Sequence, residues 1–249
     1  MPLVSVITPA HDSARFLGAA IDSVRAQTFD DWELIIAENG SSDETPNIAA
    51  RAAESDARIR LLRLPTAVGP GAARNAALAV ASARYVAFLD SDDLWMPAKL
   101  ERQIAFARAL GAAFTCAGYG IIDEAGRPIR RPQVPPPRTD YRRLLRQTHV
   151  GCLTVVLDRD QVGDVRMLDL PQHEDLTLWF AILKQGFVAH GLREILAHYR
   201  VVRDSASASP LRSARRMWKV YREIEHLPTG EAARCFLEYA AHAILKRTG

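Results

Sequence analysis

The chain has 249 residues, 48% of them hydrophobic and 24% charged, with a net charge of +3. That is enough sequence for a full core and an ordinary composition for a globular protein. No apolar run approaches the about 18 residues a membrane helix needs, and so modest a charge argues against a nucleic-acid partner.

The elements alternate from the start. Met1 leads straight into an apolar run with no basic n-region or cleavage site, so no secretion leader is expected. Leu3–Thr8 reads as a buried strand, Ala14–Gln27 as a helix and Trp32–Ala37 as a second strand. The polar turn Glu38-Asn-Gly-Ser-Ser-Asp43 runs into Thr45-Pro46, a helix start with proline in the first turn. A third strand is expected at Arg58–Leu64, an Ala-rich helix at Gly71–Ser82, a fourth strand at Arg84–Leu89 and a helix from Pro97 to about Leu110. This alternation predicts a mostly parallel sheet with right-handed crossovers. Four loops then meet at its carboxyl edge, where open α/β sheets bind ligands: 9–13, 38–45, 69–71 and 90–93.

In the second half, Pro132-Gln-Val-Pro-Pro-Pro137 is expected to cross over extended, continuing neither helix nor strand. Tyr141–Gln147 reads as a short basic helix and Gly151–Leu157 as a strand. In Asp175–Gln185, Leu176, Trp179, Phe180 and Leu183 stand at helical spacing, which sets Glu174 and Asp175 at a helix N-terminus. Ser213–His226 mixes Arg215, Arg216, Lys219 and Arg222 with Trp218 and Tyr221. Such a helix suits an anionic leaflet, or packs back on the domain with its charges solvated. A last helix is expected from about Glu231 to Arg247. The net charge divides along the same line. Residues 1–126 carry 11 Lys+Arg against 16 Asp+Glu, and residues 127–249 carry 21 against 13, an acidic half suited to a cation and a basic half suited to anions.

The chemistry concentrates in Arg84-Tyr-Val-Ala-Phe-Leu-Asp-Ser-Asp-Asp93, a strand that ends in three carboxylates. Crowded carboxylates raise one another's pKa unless a cation lies between them, and hard oxygen ligands suit Mg²⁺ or Mn²⁺ bridging substrate phosphates. A solvated turn capping the next helix is the plain alternative. Gly69-Pro-Gly-Ala-Ala-Arg74 falls short of a dinucleotide fingerprint: it lacks the third glycine and begins five residues after its strand. It still permits close backbone approach and places Arg74 within reach of a diphosphate. There is no P-loop, no H-E-x-x-H and no G-x-S-x-G, and Cys116, Cys152 and Cys235 lack metal or redox spacing, as expected of reduced thiols in a cytoplasmic protein.

Together these blocks carry a resemblance. Ser5-Val-Ile-Thr-Pro-Ala-His-Asp12, Glu38-Asn-Gly-Ser-Ser-Asp43, Gly71-Ala-Ala-Arg-Asn75 and Phe88-Leu-Asp-Ser-Asp-Asp93 resemble, in order, the motifs of glycosyltransferase family 2. His173-Glu-Asp-Leu-Thr-Leu-Trp179 is similar to that family's acceptor-side motif, and His198-Tyr-Arg200 with Ser205-Ala-Ser-Ala-Ser209 to its tail block. Gly151-Cys-Leu-Thr-Val155 and Trp218-Lys-Val-Tyr-Arg222 look like the small bacterial enzymes of teichuronic-acid, capsule and lipopolysaccharide type. Two positions depart from the pattern: Glu38 stands where Asp is usual, and His11-Asp12 where Tyr-Asn is usual.

The resemblance implies an α/β GT-A (Rossmann-like) fold, its mostly parallel sheet flanked by helices and followed by C-terminal helices. Residues 1–126 would be the nucleotide-sugar half, 127–210 the acceptor half and 211–249 a helical segment. It implies an inverting glycosyltransferase using a nucleotide-sugar donor, UDP-linked by preference, and a saccharide or lipid-linked saccharide acceptor at the inner face of the membrane. Pro9, Ala10, His11, Asp12, Glu38, Arg74, Asp90 and Ser91 would bind the donor, Asp92 would hold Mn²⁺ or Mg²⁺, and Asp175 would be the general base. Glu174 would bind the acceptor or orient Asp175, and Arg200 would contact the diphosphate or bridge to the sheet. The rivals are a sugar-phosphate nucleotidylyltransferase, which needs a Gly-rich basic loop that Thr8-Pro-Ala-His-Asp12 lacks, and an inactive nucleotide-binding scaffold.

Overall fold

Apolar runs without polar alternation build the first half, because both faces of its sheet are covered. In chain order β1 (Val4–Ala10), α1 (Ala14–Arg25), β2 (Trp32–Glu38), α2 (Thr45–Ser55), β3 (Ile59–Arg63), α3 (Pro70–Val80) and β4 (Tyr85–Phe88) form three crossovers. Their strands lie parallel in the order β3-β2-β1-β4. Trp32, Leu34 and Ile36 of β2 pack with α1 and α2, whereas Ile35 and Ala37 pack with α3, so one strand feeds two cores. The computed structural model describes residues 1–170, 172–202 and 210–248, with side chains through residue 242 except those of 210 and 211.

The sheet continues past β4 with mixed direction. Next come β5 (Leu94–Trp95), α4 (Lys99–Leu110), β6 (Phe114–Ile122), β7 (Pro128–Gln133), β8 (Arg138–Thr139), α5 (Tyr141–Arg146) and β9 (Val156–Asp158). They are followed by α6 (Arg159–Val162), α7 (Glu174–Lys184), β10 (Ala189–Arg200), α8 (Pro210–Lys219), a π turn (Val220–Ile224) and α9 (Thr229–Thr248). Among the described residues the sheet has ten strands, in the order β3-β2-β1-β4-β9-β6-β10-β5, with β7 beside β6 and β8 beside β10. Short β9 runs antiparallel to both β4 and β6, and β10 runs parallel to β6.

Two expected elements differ. Gly151–Leu157 is not one strand: a 3-10 turn at Cys152–Thr154 precedes β9. The Thr154 hydroxyl donates to the Gly151 carbonyl at 2.7 Å, the Trp95 indole to the Leu153 carbonyl and the Gln103 amide to the Thr154 carbonyl, both at 2.8 Å. Side chains thus take the carbonyls that a neighbouring strand would have used. The proline run also begins inside a strand, because β7 includes Pro132 and Gln133. It is an exposed outer strand against β6, where proline costs no ladder bond on its solvent side.

One contact aims the second half at the first. Fully buried Trp179 of α7 meets Phe88 of β4 at 5.7 Å between ring centres and Phe114 of β6 at 5.2 Å. Asp175 precedes Trp179 by four residues, on the same helix face. Seating that indole over the end of β4 therefore brings Asp175 to the edge where Asp90 and Asp92 emerge. The Ser205–Ser209 block lies outside the described residues.

Candidate functional site

The strand ends, the start of α3 and the start of α7 enclose a cavity of about 500 Å³. Of the residues anticipated, Pro9, Ala10, His11, Arg74, Asp90, Ser91, Asp92, Glu174 and Asp175 all line it. Asp12 and Glu38 do not. They hold the turn behind it: the Asp12 carboxylate accepts the Ser42 amide at 2.8 Å, and the Glu38 carboxylate accepts the Ser41 amide at 2.7 Å. The Ser42 bond, above all, holds exposed Asp12 below the usual carboxylate range.

Arg74 is a strut. Buried in the second turn of α3, it donates to Asp90 and, at 2.7 Å, to Glu174. Burial opposes its charge, but the two carboxylates offset that and hold it firmly protonated. The guanidinium thereby ties the sheet edge to α7 across 100 residues of sequence. Gly71 makes the approach possible: a Cβ there would sit 2.6 Å from the Leu168 carbonyl and 3.2 Å from the Glu174 Cβ. We expect Gly71→Ala to cost about 1–3 kcal/mol through overpacking against backbone. It should also lower kcat more than a remote change of equal stability cost. Thermal melting and initial rates, compared with a surface variant of equal Tm, check this.

The carboxylates behave differently from one another. Burial, then the neighbouring charge of Asp90, pushes Asp92 up to about 6. Asp93 is fully buried, accepts the Arg200 amide at 2.8 Å and is raised by burial and then by Asp92. Asp175 is pushed up to about 7 by burial first and by the Glu174 charge second, and its Oδ1 accepts the Leu176 amide at 2.7 Å. A carboxylate poised near neutrality in a cavity fits proton transfer. Asp90 and Asp92 together offer the crowded, hard oxygen donors that a divalent cation relieves, so the residues present fit Mg²⁺ or Mn²⁺.

Arg200 bridges within the fold. Its guanidinium donates to the carbonyls of Asp92 (2.7 Å), Asp123 and Glu124 (both 3.2 Å) and stands 4.8 Å from the Phe16 ring centre. It thus holds the backbone of the acidic turn in place.

Sequence reasoning missed Asn39, Val68, Pro70, Cys152, Gln172, His173 and Tyr199 among the lining residues. Asn39 lies inside the quoted 38–43 block and was findable. Its amide clamps Val68 at both N–H and C=O, 2.8 Å each, while its own carbonyl meets His11 Nδ1 at 2.9 Å. Cys152 lies inside the quoted 151–155 block, where a strand is expected; the 3-10 turn brings it to the cavity instead. His173 caps α7 in the left-handed region, φ 68°, which directs Glu174 and Asp175 inward.

Comparison with known proteins follows this geometry. The family model described as glycosyl transferase family 2 matches residues 5–157. TuaG of Bacillus subtilis (strain 168), named as a teichuronic acid biosynthesis glycosyltransferase, is 41% identical over 99% of this chain and 98% of its own. The Escherichia coli UDP-Glc:alpha-D-GlcNAc-diphosphoundecaprenol beta-1,3-glucosyltransferase WfgD is 37% identical over 88% of this chain and 85% of its own. In fold, S. aureus TarS 1–349 in complex with UDP-GlcNAc aligns with a TM-score of 0.77 at 19% identity, over 99% of this chain and 74% of that one. The mannosyltransferase PcManGT of Pyrobaculum calidifontis, in complex with GDP-Man and Mn²⁺, aligns at 0.70 and 17% identity, over 100% and 76%. The α/β architecture is the GT-A type expected from the sequence, and the nucleotidylyltransferase alternative falls away. This chain belongs to glycosyl transferase family 2 and is a glycosyltransferase.

Proposed function

We propose that the cavity takes a UDP-linked sugar with a divalent cation and transfers the sugar, with inversion, to a hydroxyl of a saccharide acceptor in cell-surface polysaccharide synthesis. The observation that carries this reading is that Asp92 and Asp175, far apart in sequence, line one cavity braced by Arg74. Uridine is favoured over guanosine because WfgD, with a UDP-Glc donor in its name, is twice as similar in sequence as the GDP-Man-bound PcManGT. A lipid-linked saccharide acceptor is supported by the same name and by the basic second half. Work at the inner face of the membrane fits a chain in which no helix among the described residues is long and apolar enough to cross it.

Asp175 removes the acceptor proton as the hydroxyl oxygen bonds to the anomeric carbon and the bond from that carbon to the diphosphate breaks. No protein nucleophile is needed, so the anomeric centre inverts. Pro9, Ala10 and His11 wall the nucleotide, Asp90 and Ser91 face the donor, and Glu174, locked by Arg74, sits beside the attacking hydroxyl. Asp92, with Asp90, would hold the cation, which when bound offsets charge growing on the departing diphosphate.

Melting with UDP, GDP, CDP and dTDP, each with and without Mn²⁺, tests the reading. UDP with Mn²⁺ at 100 times its Kd should stabilise by about 2.7 kcal/mol, or roughly 5–10 °C for a chain of this size. No shift with any nucleotide would overturn it.

A further inference from the structure

Beside the donor cavity lies a second one of about 510 Å³, and among the described residues the two share only Gln172, a member of both walls. Its rim is cationic: Arg212, Arg215, Arg216 and Lys219 all line it, with Glu223 the single acid. Its floor is apolar, with Leu170, Val220 and Ile224. Arg212, Arg215 and Lys219 are exposed and make no ion pair among the described residues. Arg216 donates to the Gln172 side chain at 3.1 Å, and the Ser213 carbonyl lies 3.3 Å from His173 Nε2, so α8 is docked on the segment that carries the base. The floor is completed by the π turn at Val220–Ile224, a rare conformation that concentrates at functional sites.

Three features define the occupant. Arg212, Arg215 and Lys219, without an ion pair among the described residues, call for a multiply charged anion, and arginine forks favour phosphate oxygens. An apolar floor beside those charges calls for a hydrocarbon attached to the anion. Gln172 precedes Asp175 by three residues, at most about 10 Å of extended chain, so the anion would lie within a saccharide unit's reach of the attacked hydroxyl.

We propose that this second cavity binds the diphosphate and first isoprene units of a lipid-linked acceptor, placing the acceptor sugar against Asp175. The proposal rests on the transferase reading above and extends it to the acceptor. The basic helix is then not a general membrane adhesive. It is a receptor for one head group.

The probe is farnesyl diphosphate, titrated by calorimetry in the presence of saturating UDP and Mn²⁺ so that the donor cavity is occupied. Parallel arms use farnesol, which has the hydrocarbon without the charge, and vesicles containing phosphatidylglycerol. The variant is Arg215→Ala/Lys219→Ala, two exposed positions whose truncation leaves the Arg216–Gln172 bond in place. Wild type should bind farnesyl diphosphate, and the variant should bind it about 10- to 100-fold more weakly. The UDP-dependent melting shift should be the same in both proteins, and farnesol should bind both equally. The proposal is overturned if wild type fails to bind farnesyl diphosphate or if the variant binds it equally well. It is also overturned if the variant loses affinity for the vesicles alone, which would assign α8 to the membrane surface. Failure of the transferase reading is seen separately, as a missing UDP shift in wild type.

Discussion

Asp175→Asn should abolish sugar transfer while making the protein more stable at alkaline pH. The loss follows from the base: a positioned carboxylate contributes about 10²–10⁴-fold, and the amide cannot accept the acceptor proton. UDP binding should persist, because the proposed reading puts Asp175 on the acceptor side, and the Leu176 amide bond can be kept by the Asn carbonyl. The gain in stability follows from linkage. Burial and Glu174 raise the Asp175 carboxyl from 3.8 to about 7 in the folded protein. Because the folded pKa exceeds the unfolded one, the favourable contribution is complete below about 4 and disappears as pH rises through about 7. At pH 8 the folded state carries a buried, crowded charge that asparagine removes, a difference on the order of a few kcal/mol. At pH 5 the folded carboxyl is still protonated, but the unfolded one is already ionised, so part of the contribution is gone. Melting should therefore show the variant modestly above wild type at pH 5 and several degrees above it at pH 8. The wild-type kcat should climb as pH passes through about 7 and then level off. Retained transfer would remove Asp175 as the base, and a pH-independent Tm difference would refute its burial as the source of strain.

That conflict between stability and activity explains which parts of the site could be read from sequence. Asp90, Asp92, Glu174 and Asp175 stood out because carboxylates at a strand end or helix start have no packing reason to cluster. The parallel half was equally legible, since β1, β2 and β4 are apolar runs bounded by turn residues, and their ends had to share an edge. What brings the two carboxylate groups together was not legible. β6 contains Gly118 and Gly120, which weaken any strand signal. The structure uses those glycines because Ile195 and His198 of β10 occupy the space a side chain would need. β10 in turn shifts register twice between Leu192 and Ala197, which blurs its alternation. Both strands owe their existence to pairing across about 75 residues, Ala189 opposite Phe114, and not to local preference. The roles of Arg74 and Gly71 were hidden for the same reason. In sequence they are a glycine and an arginine in a helix start; in space they are the gap and the strut that fix Glu174.

Replacing Asp92 should separate metal binding from everything else the site does. Arg74 already engages Asp90 and Glu174, so Asp92→Asn leaves that strut whole, whereas Asp90→Asn would release one end of it. The fold should therefore survive Asp92→Asn, and its ligand-free Tm should hold or rise, because burial and the Asp90 charge both disfavour the ionised Asp92 carboxylate. In wild type, UDP with Mn²⁺ should raise Tm by several degrees more than UDP with EDTA, since Asp92, with Asp90, would hold a cation that supplies positive charge to the diphosphate. In the variant the two conditions should give the same Tm. Transfer should fall about 10³-fold or more, the equivalent of roughly 4 kcal/mol of lost charge stabilisation on the departing diphosphate. EDTA should impose a comparable loss on wild type and little further loss on the variant. If the variant keeps the Mn²⁺ increment, Asp92 is not the metal ligand and Asp90 must serve alone. Should both single variants keep it, the cation would have to be held away from the acidic turn, and the crowding of Asp90, Asp92 and Asp93 would need another explanation.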